Sequence, residues 1–304
     1  MTYLLAENQP ATPPGAAFRE LLARPGILQM PGAYNGLSAL QAKQAGFEAL
    51  YLSGAAMSAQ MGLPDLGILT IDDVCFFIRQ IARVTGLPML VDGDTGFGEA
   101  LNVMHMVRAF EDAGAAAVQI EDQLLPKKCG HLSDKKLAPA ADMAAKVAAA
   151  RRARKDLVIV ARTDGLEREG LEGAIARAKL YVEAGADAIF PEALNDSESF
   201  ARFSAEVKVP LLANMTEFGK TPFMTAEAFE ALGYSMVIWP VSALRIAARA
   251  HEELYRTIRE TGWVKPLVDR MQTRADLYAT IGYHDYEALD GSIAQSVVPL
   301  STPD

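Results

Sequence analysis

Eight short apolar runs recur along this chain, at residues 27–30, 49–52, 88–91, 117–120, 157–161, 188–190, 209–213 and 236–239. Most lack polar alternation, the pattern of strands buried on both faces of a helix-covered parallel sheet. Longer segments between them, among them 71–84, 101–113, 141–154, 171–184 and 226–232, carry apolar residues at helical spacing. Strand then helix, eight times over, predicts an α/β fold closed into a (β/α)8 TIM-type barrel. A weak internal repeat agrees: Gly46, Gly114, Gly185 and Gly233 each stand just before a strand, where a glycine can take the left-handed conformation that ends a helix. A doubly wound open sheet fits less well, because no glycine-rich dinucleotide fingerprint follows the first strand and no break divides the chain. The whole chain, 1–304, reads as one barrel domain. Residues 1–15 form an extended arm, 242–260 a long amphipathic helix, and 262–304 a C-terminal helical extension that exceeds what a barrel needs.

Half of the 304 residues are hydrophobic and 22% are charged, enough to bury a sizeable core. Twenty-nine basic against 38 acidic residues give a net charge of −9. That balance argues against nucleic acid or an anionic membrane surface as the main partner, while leaving anionic small molecules open. Two cysteines, Cys75 and Cys129, are too few for a disulfide framework or a structural zinc site, so a reducing cytoplasm is expected. The first 17 residues lack the basic start and apolar run of a signal peptide, and no uncharged stretch is long enough to span a bilayer.

In an α/β barrel the chemistry sits where strands finish. Polar residues follow nearly every run: Tyr34 and Asn35, Ser53, Asp92 and Asp94, Glu121 and Asp122, Arg162 and Asp164, Glu192, Asn214, and Arg245 slightly beyond the last. Asp92 and Asp94 flank a glycine and fall on one side of an extended segment. An isolated pair of this kind is more often a helix cap. With Glu121 after the adjacent strand, it points to Mg²⁺ or Mn²⁺, which take hard oxygen ligands. Cys129 stands beside Lys127, Lys128 and His131, and nearby positive charge predicts a lowered thiol pKa suited to acid–base or nucleophilic work. Cys75 lies within a helical pattern and reads as core. Arg162, Arg245 and Arg274 are candidates for bidentate capture of carboxylates. Glu192, Asn214, Met215 and Thr216 share the strand-end position and are expected to line the site. Residues 124–136 are expected to close over substrate as a polar lid.

These residues fall in an ordered series of motifs. Lys-Lys-Cys-Gly-His at 127–131 is joined by Tyr-Leu-Ser-Gly at 51–54, Val-Asp-Gly-Asp-Thr-Gly at 91–96, Ile-Glu-Asp-Gln at 120–123, Ala-Arg-Thr-Asp at 161–164, Phe-Pro-Glu at 190–192 and Asn-Met-Thr-Glu-Phe-Gly at 214–219. From about residue 18 to 294 the chain resembles the isocitrate lyase and phosphoenolpyruvate mutase superfamily, and within it the 2-methylisocitrate lyases. The resemblance implies a barrel with a swapped C-terminal helix, a homotetramer, and Mg²⁺-dependent cleavage of the tricarboxylate 2-methylisocitrate to pyruvate and succinate in propionate breakdown. It implies that Asp92 and Asp94 hold the metal, partly through water, with Asp65 and Glu121 in the outer set. Ser53, Gly54 and Arg162 would bind the 2-oxo acid portion, with Ala55 where many members have glycine. Gly130, His131, Glu192, Asn214, Thr216, Arg245 and Arg274 would contact the departing dicarboxylate. Cys129 would protonate the carbanion, tuned by Lys127 and His131, and Tyr51 or a metal-held carboxylate would be the base.

Within the superfamily, isocitrate cleavage resembles longer chains, and decarboxylases and mutases lack the Lys-Lys-Cys-Gly-His motif; a dimethylmalate-type lyase shares it. Outside it, a Schiff-base aldolase would need a buried lysine at a strand end, whereas Lys127 and Lys128 fall in a loop. A catalytically inactive ligand-binding barrel fits poorly with so complete a set of polar strand ends.

Overall fold

The computed structural model describes residues 2–293. The end of the expected C-terminal extension, 294–304, lies outside the described residues. After a 3-10 turn over Ala6–Asn8, the chain runs α1 (Pro14–Leu22), β1 (Leu28–Pro31), α2 (Gly36–Gln44), β2 (Leu50–Leu52), α3 (Gly54–Gln60), α4 (Ile71–Thr85), β3 (Met89–Asp92) and α5 (Ala100–Ala113). It continues with β4 (Ala117–Glu121), α6 (Ala140–Ala153), β5 (Val158–Thr163), α7 (Leu166–Ala184), β6 (Ala188–Pro191), α8 (Ser197–Glu206), β7 (Leu212–Asn214), α9 (Ala226–Ala231) and β8 (Met236–Trp239). Beyond the eighth strand come α10 (Ser242–Thr261), a 3-10 turn over Lys265–Arg270, α11 (Arg274–Ile281) and α12 (Tyr283–Ser292).

All strands pair in parallel, as β2-β3-β4-β5-β6 and as β1-β8-β7. Two parallel bridges, Gly32 to Tyr51 and Ile189 to Leu211, join these arcs into the expected eight-stranded ring. Register puts functional positions side by side at the carboxyl ends: Asp92 opposite Gln119, and Glu121 opposite Arg162. The repeat glycines do end helices, with φ of 94° at Gly46, 107° at Gly114, 112° at Gly185 and 88° at Gly233.

Two apolar layers hold the ring. Met30, Leu90, Val158, Val160, Leu212 and Met236 fill its interior, and Phe18 and Leu21 of α1 plug its floor. Ile78, Ile81, Phe110, Tyr181, Phe203 and Phe229 pack between strands and helices. The floor is thus closed by apolar packing, leaving the carboxyl-end mouth for polar side chains.

Three boundaries differ from expectation. The arm is folded locally, because Asn8 and Gln9 side-chain amides donate to the Thr2 and Tyr3 carbonyls and bury Thr2. Helix α7 starts five residues earlier than its apolar spacing suggests, bent at Gly170, where φ is 68°. Strand β7 starts late because Pro210 has no N–H to donate to the ladder. Helix α10 buries none of its residues, and Ile246, Tyr255, Ile258 and Trp263 are exposed. Among the described residues no helix is long and apolar enough to cross a membrane.

Candidate active site

The acidic wall is built by the loop after β3. The Asp92 carboxylate folds that loop, accepting from the Asp94 N–H at 3.1 Å, the Gly54 N–H at 3.2 Å and Gln119 Nε2 at 3.3 Å. Asp94 takes a φ of 45°, a left-handed turn that aspartate tolerates, and its carbonyl accepts from the Glu121 N–H at 2.9 Å. Lys127, only 2% exposed, comes in from the lid; its ammonium lies 2.6 Å from Asp94 Oδ1 and pairs with Asp65. Burial raises the proton affinity of this wall. Asp94 is pushed up to about 6, with the Asp92 and Asp65 carboxylates adding to the effect and Lys127 opposing it. Glu121 is raised further by its complete burial, against the pull of Arg162 and Lys127.

This wall fits a hard divalent cation. Every donor is a carboxylate oxygen, Glu121 Oε1 is buried without a hydrogen-bond partner, and a cation would offset both the desolvation that chiefly lifts the two pKa values and the carboxylate repulsion that adds to it. Among the described residues no three His, Cys, Asp or Glu side chains converge into a direct cage. One or two carboxylates with retained water, the usual Mg²⁺ arrangement, is what the donor set suits.

Opposite stands Arg162, whose guanidinium is surrounded by acids. It donates to Asp164 through Nε at 2.9 Å and Nη2 at 3.0 Å, while Nη1 lies 3.2 Å from Glu121 Oε2 and 3.3 Å from Glu192 Oε2. Glu192 Oε1 is 3.2 Å from His131 Nε2. The other ring nitrogen, Nδ1, accepts the Lys220 N–H at 2.9 Å, so a neutral His131 carries its proton on Nε2 and donates toward Glu192. Burial keeps that ring neutral, lowering its pKa against the opposing pull of Glu192.

Cys129 lies between these groups on the lid. The lid's base is a short antiparallel ribbon, with Gln123 bridging to Leu137 and the Leu124 N–H donating to the Lys136 carbonyl at 2.8 Å. Gln123 also clamps Lys128, accepting its N–H at 3.0 Å and donating to its carbonyl at 2.8 Å. The expected lowering of the Cys129 pKa is overturned. Cys129 keeps an exposed face, but the groups packed around its thiol raise its pKa by desolvation, with Glu192 and Asp65 adding to the rise and the His131 N–H and Arg162 opposing it. The neighbouring cations that suggested otherwise are engaged elsewhere: Lys127 with carboxylates, Lys128 near the Ser133 carbonyl, and His131 neutral. Cys129 is therefore a protonated thiol at neutral pH.

A narrow cleft of about 90 Å³ runs between wall, lid and Arg162. A family profile described as phosphoenolpyruvate phosphomutase matches residues 18–259 of the chain. The chain belongs to the phosphoenolpyruvate mutase and isocitrate lyase superfamily. Among superfamily relatives, a 2-methylisocitrate lyase of Bacillus subtilis (strain 168) is 53% identical over 93% of this chain and 94% of its own. One from Aeropyrum pernix is 51% identical, covering 96% and 95%. Among solved structures, a 2,3-dimethylmalate lyase superposes with a TM-score of 0.87 at 33% identity, covering 93% of this chain and 96% of its own. A phosphonopyruvate hydrolase solved with oxalate and Mg²⁺ superposes with a TM-score of 0.83 at 30% identity, covering 92% and 99%.

Most positions that the superfamily resemblance singled out line this one cleft: Tyr51, Ser53, Ala55, Asp65, Asp92, Lys127, Cys129, Gly130, His131, Arg162, Glu192, Asn214, Thr216 and Arg245. Gly54, Asp94 and Glu121 stand directly behind that surface. Two do not join them. Met215 turns into the core, where its sulfur accepts the Met224 N–H at 3.3 Å. Arg274 is exposed at the first residue of α11, outside the cleft. Tyr51 is brought in as a donor, its hydroxyl 3.1 Å from Gln119 Oε1; burial and the Asp92 charge hold the phenol protonated, which disfavours a phenolate base. Lys127 is buried although it falls in a loop, and its carboxylate neighbours hold it protonated and unreactive as an amine nucleophile. Cys75 is core, as expected.

Four participants had no place in the sequence reading. Gln119 links Tyr51 to Asp92, and a polar residue in the middle of an apolar strand was the available signal. Lys135 bonds Asp164, which in turn orients Arg162. Arg177 and Tyr181 of α7 hold Asp122, whose Oδ1 accepts the Asp164 N–H at 2.8 Å. For these last three no local pattern exists, because their partners are 29 to 59 residues away.

Proposed function

We infer that this chain is a Mg²⁺-dependent carbon–carbon lyase that cleaves 2-methylisocitrate to pyruvate and succinate, the step characteristic of the methylcitrate cycle of propionate breakdown. The carrying observation is the Cys129 thiol on a lid, set across a cleft from an oxygen-only acidic wall and beside the buried Arg162 guanidinium. Relatives at 51–53% identity bear the name of that activity.

Cleavage breaks the bond between the hydroxyl-bearing carbon and its neighbour. The hydroxyl proton leaves, its oxygen becomes the pyruvate carbonyl, and the electron pair goes to the succinate fragment. A divalent ion on the Asp92–Asp94 wall would lower the cost of losing that proton and offset charge on the oxo acid. The proton passes to a carboxylate of the wall, with Tyr51 donating a hydrogen bond. Ser53, Gly54, Ala55 and Arg162 orient the oxo-acid end, and Glu192, Asn214, Thr216 and Arg245 the dicarboxylate end. His131 Nε2–H and the Arg245 guanidinium stabilise the developing enediolate. Cys129 supplies the proton that completes succinate, a task suited to a thiol whose pKa is raised.

Pyruvate release from 2-methylisocitrate, run beside glyoxylate release from isocitrate and with a chelator control, tests this. Metal-dependent pyruvate at much the higher kcat/KM supports the reading; its absence sinks it. The structural similarity to a 2,3-dimethylmalate lyase favours one second reading, cleavage of that smaller diacid, decided by the same assay with dimethylmalate.

We also propose a cytoplasmic homotetramer, its whole chain one catalytic domain, with the C-terminal helices swapped between copies. The exposed apolar residues of α10 supply a surface for this, and it would carry Arg274 toward another copy's cleft. Sedimentation gives the mass. Mixing Arg274→Ala with Cys129→Ser should restore turnover if Arg274 acts across subunits, and should not if it acts within its own chain.

A further inference from the structure

Lys135 lies near the far end of the lid, is 2% exposed, and has no part in the chemistry above. Its ammonium donates to the Gly130 carbonyl and, at 2.8 Å, to Asp164 Oδ1. The same Asp164 carboxylate takes both fork bonds of Arg162. One carboxylate thus receives a lysine from the lid and a guanidinium from β5. Gly130 sits directly on the pair it faces: a Cβ there would overlap the Glu192 side chain and Arg162 Nη2. On the other flank, the Lys135 carbonyl accepts Arg168 Nε at 2.9 Å. Beside its paired base, the Lys127 pairs with Asp65 and Asp94 and the Lys220 N–H on His131, the lid is held by this internal tie near Gly130.

We propose that Lys135 is a positioning residue that latches the lid, joining the Gly130 carbonyl to the Asp164 carboxylate so that seating Cys129 at the cleft and orienting Arg162 become one event. The latch rests on the lyase reading for its purpose. Physically it is two-state. Closed, the buried ammonium has two oxygen partners; open, it is hydrated and Asp164 keeps Arg162 alone, so neither state buries an unpaired charge. A latch of this kind lets substrate enter and then fixes the acid and the guanidinium against each other, where a displacement of 1 Å costs about 100-fold in rate.

The test uses the full-length protein and two readouts, turnover and the rate of amide hydrogen exchange over residues 124–136. Cys129 is exposed with the lid in place, so lid opening is read from the backbone amides rather than from the thiol. Lys135→Met is expected to lose about 100-fold in kcat with a much smaller change in KM, and to exchange its lid amides at least about tenfold faster. Lys135→Arg, which keeps the charge, is expected to recover part of both. Wild-type kcat in Lys135→Met, or lost kcat with an unchanged exchange rate, overturns the latch. Should Lys135→Met not accumulate as folded protein, Asp164→Asn with Lys135→Arg decides: faster lid exchange in Asp164→Asn supports the latch and wild-type exchange in both overturns it. If the wild-type protein releases no pyruvate from 2-methylisocitrate, the lyase reading fails, while the exchange comparison still judges the latch.

Discussion

At the residue scale, the proposed lyase chemistry depends on one thiol, that of Cys129, staying protonated. A general acid works only with its proton on, and the raised Cys129 pKa keeps it there through neutral pH. In a kcat profile from about pH 6 to 10, the alkaline limb should fall above the ordinary thiol value of about 8.5. An alkaline limb beginning near or below that value would contradict the assignment. Cys129→Ser should retain pyruvate binding with Mg²⁺ yet lose about 10²- to 10⁴-fold in turnover, the usual weight of a positioned general acid. Asp94 carries a second pH effect. Its carboxyl is pushed up to about 6, so below that pH a proton competes with a cation and above it Asp94 is charged. Mg²⁺ should therefore raise Tm more at pH 8 than at pH 5. Equal shifts at both would remove Asp94 from the metal wall, and a chelator should abolish turnover.

At the element scale, the lid and the strand ends act as fitted parts. Gly130 has no room for a Cβ against Glu192 and Arg162, so Gly130→Ala should hold the lid off the site and cost about 100-fold in kcat. Because the clash is at a loop tip, the Tm should change little; a variant with normal turnover would show that the lid does not close on Arg162. Element positions were legible in sequence where periodicity was strong, as in α4, expected at 71–84 and found at Ile71–Thr85. They slipped where backbone chemistry overrode the pattern, at Gly170 in α7 and Pro210 before β7.

At the scale of the whole molecule, a closed ring carries the site on a rigid rim. Phe110 is fully buried between strands and helices, next to the sheet that bears Asp92 and Glu121. Phe110→Ala should cost about 3–5 kcal/mol of stability in urea unfolding. In folded protein below the transition, kcat should fall far less than in Cys129→Ser; comparable losses would mean that the barrel wall and the site are not separable. The barrel and the address of each strand-end residue were readable from sequence alone, because burial of a parallel strand imposes a local, periodic composition and the chain leaves the sheet at defined points. Asp92, Asp94, Glu121 and Arg162 were found that way. Only the tertiary structure decided the protonation of Cys129, the donor role of Tyr51, the inward turn of Met215, the exclusion of Arg274 from its own cleft, and the Lys135–Asp164–Arg162 tie. Each depends on desolvation or on charges brought from distant parts of the chain, and an electrostatic environment, unlike a hydrophobic period, leaves no local pattern to read.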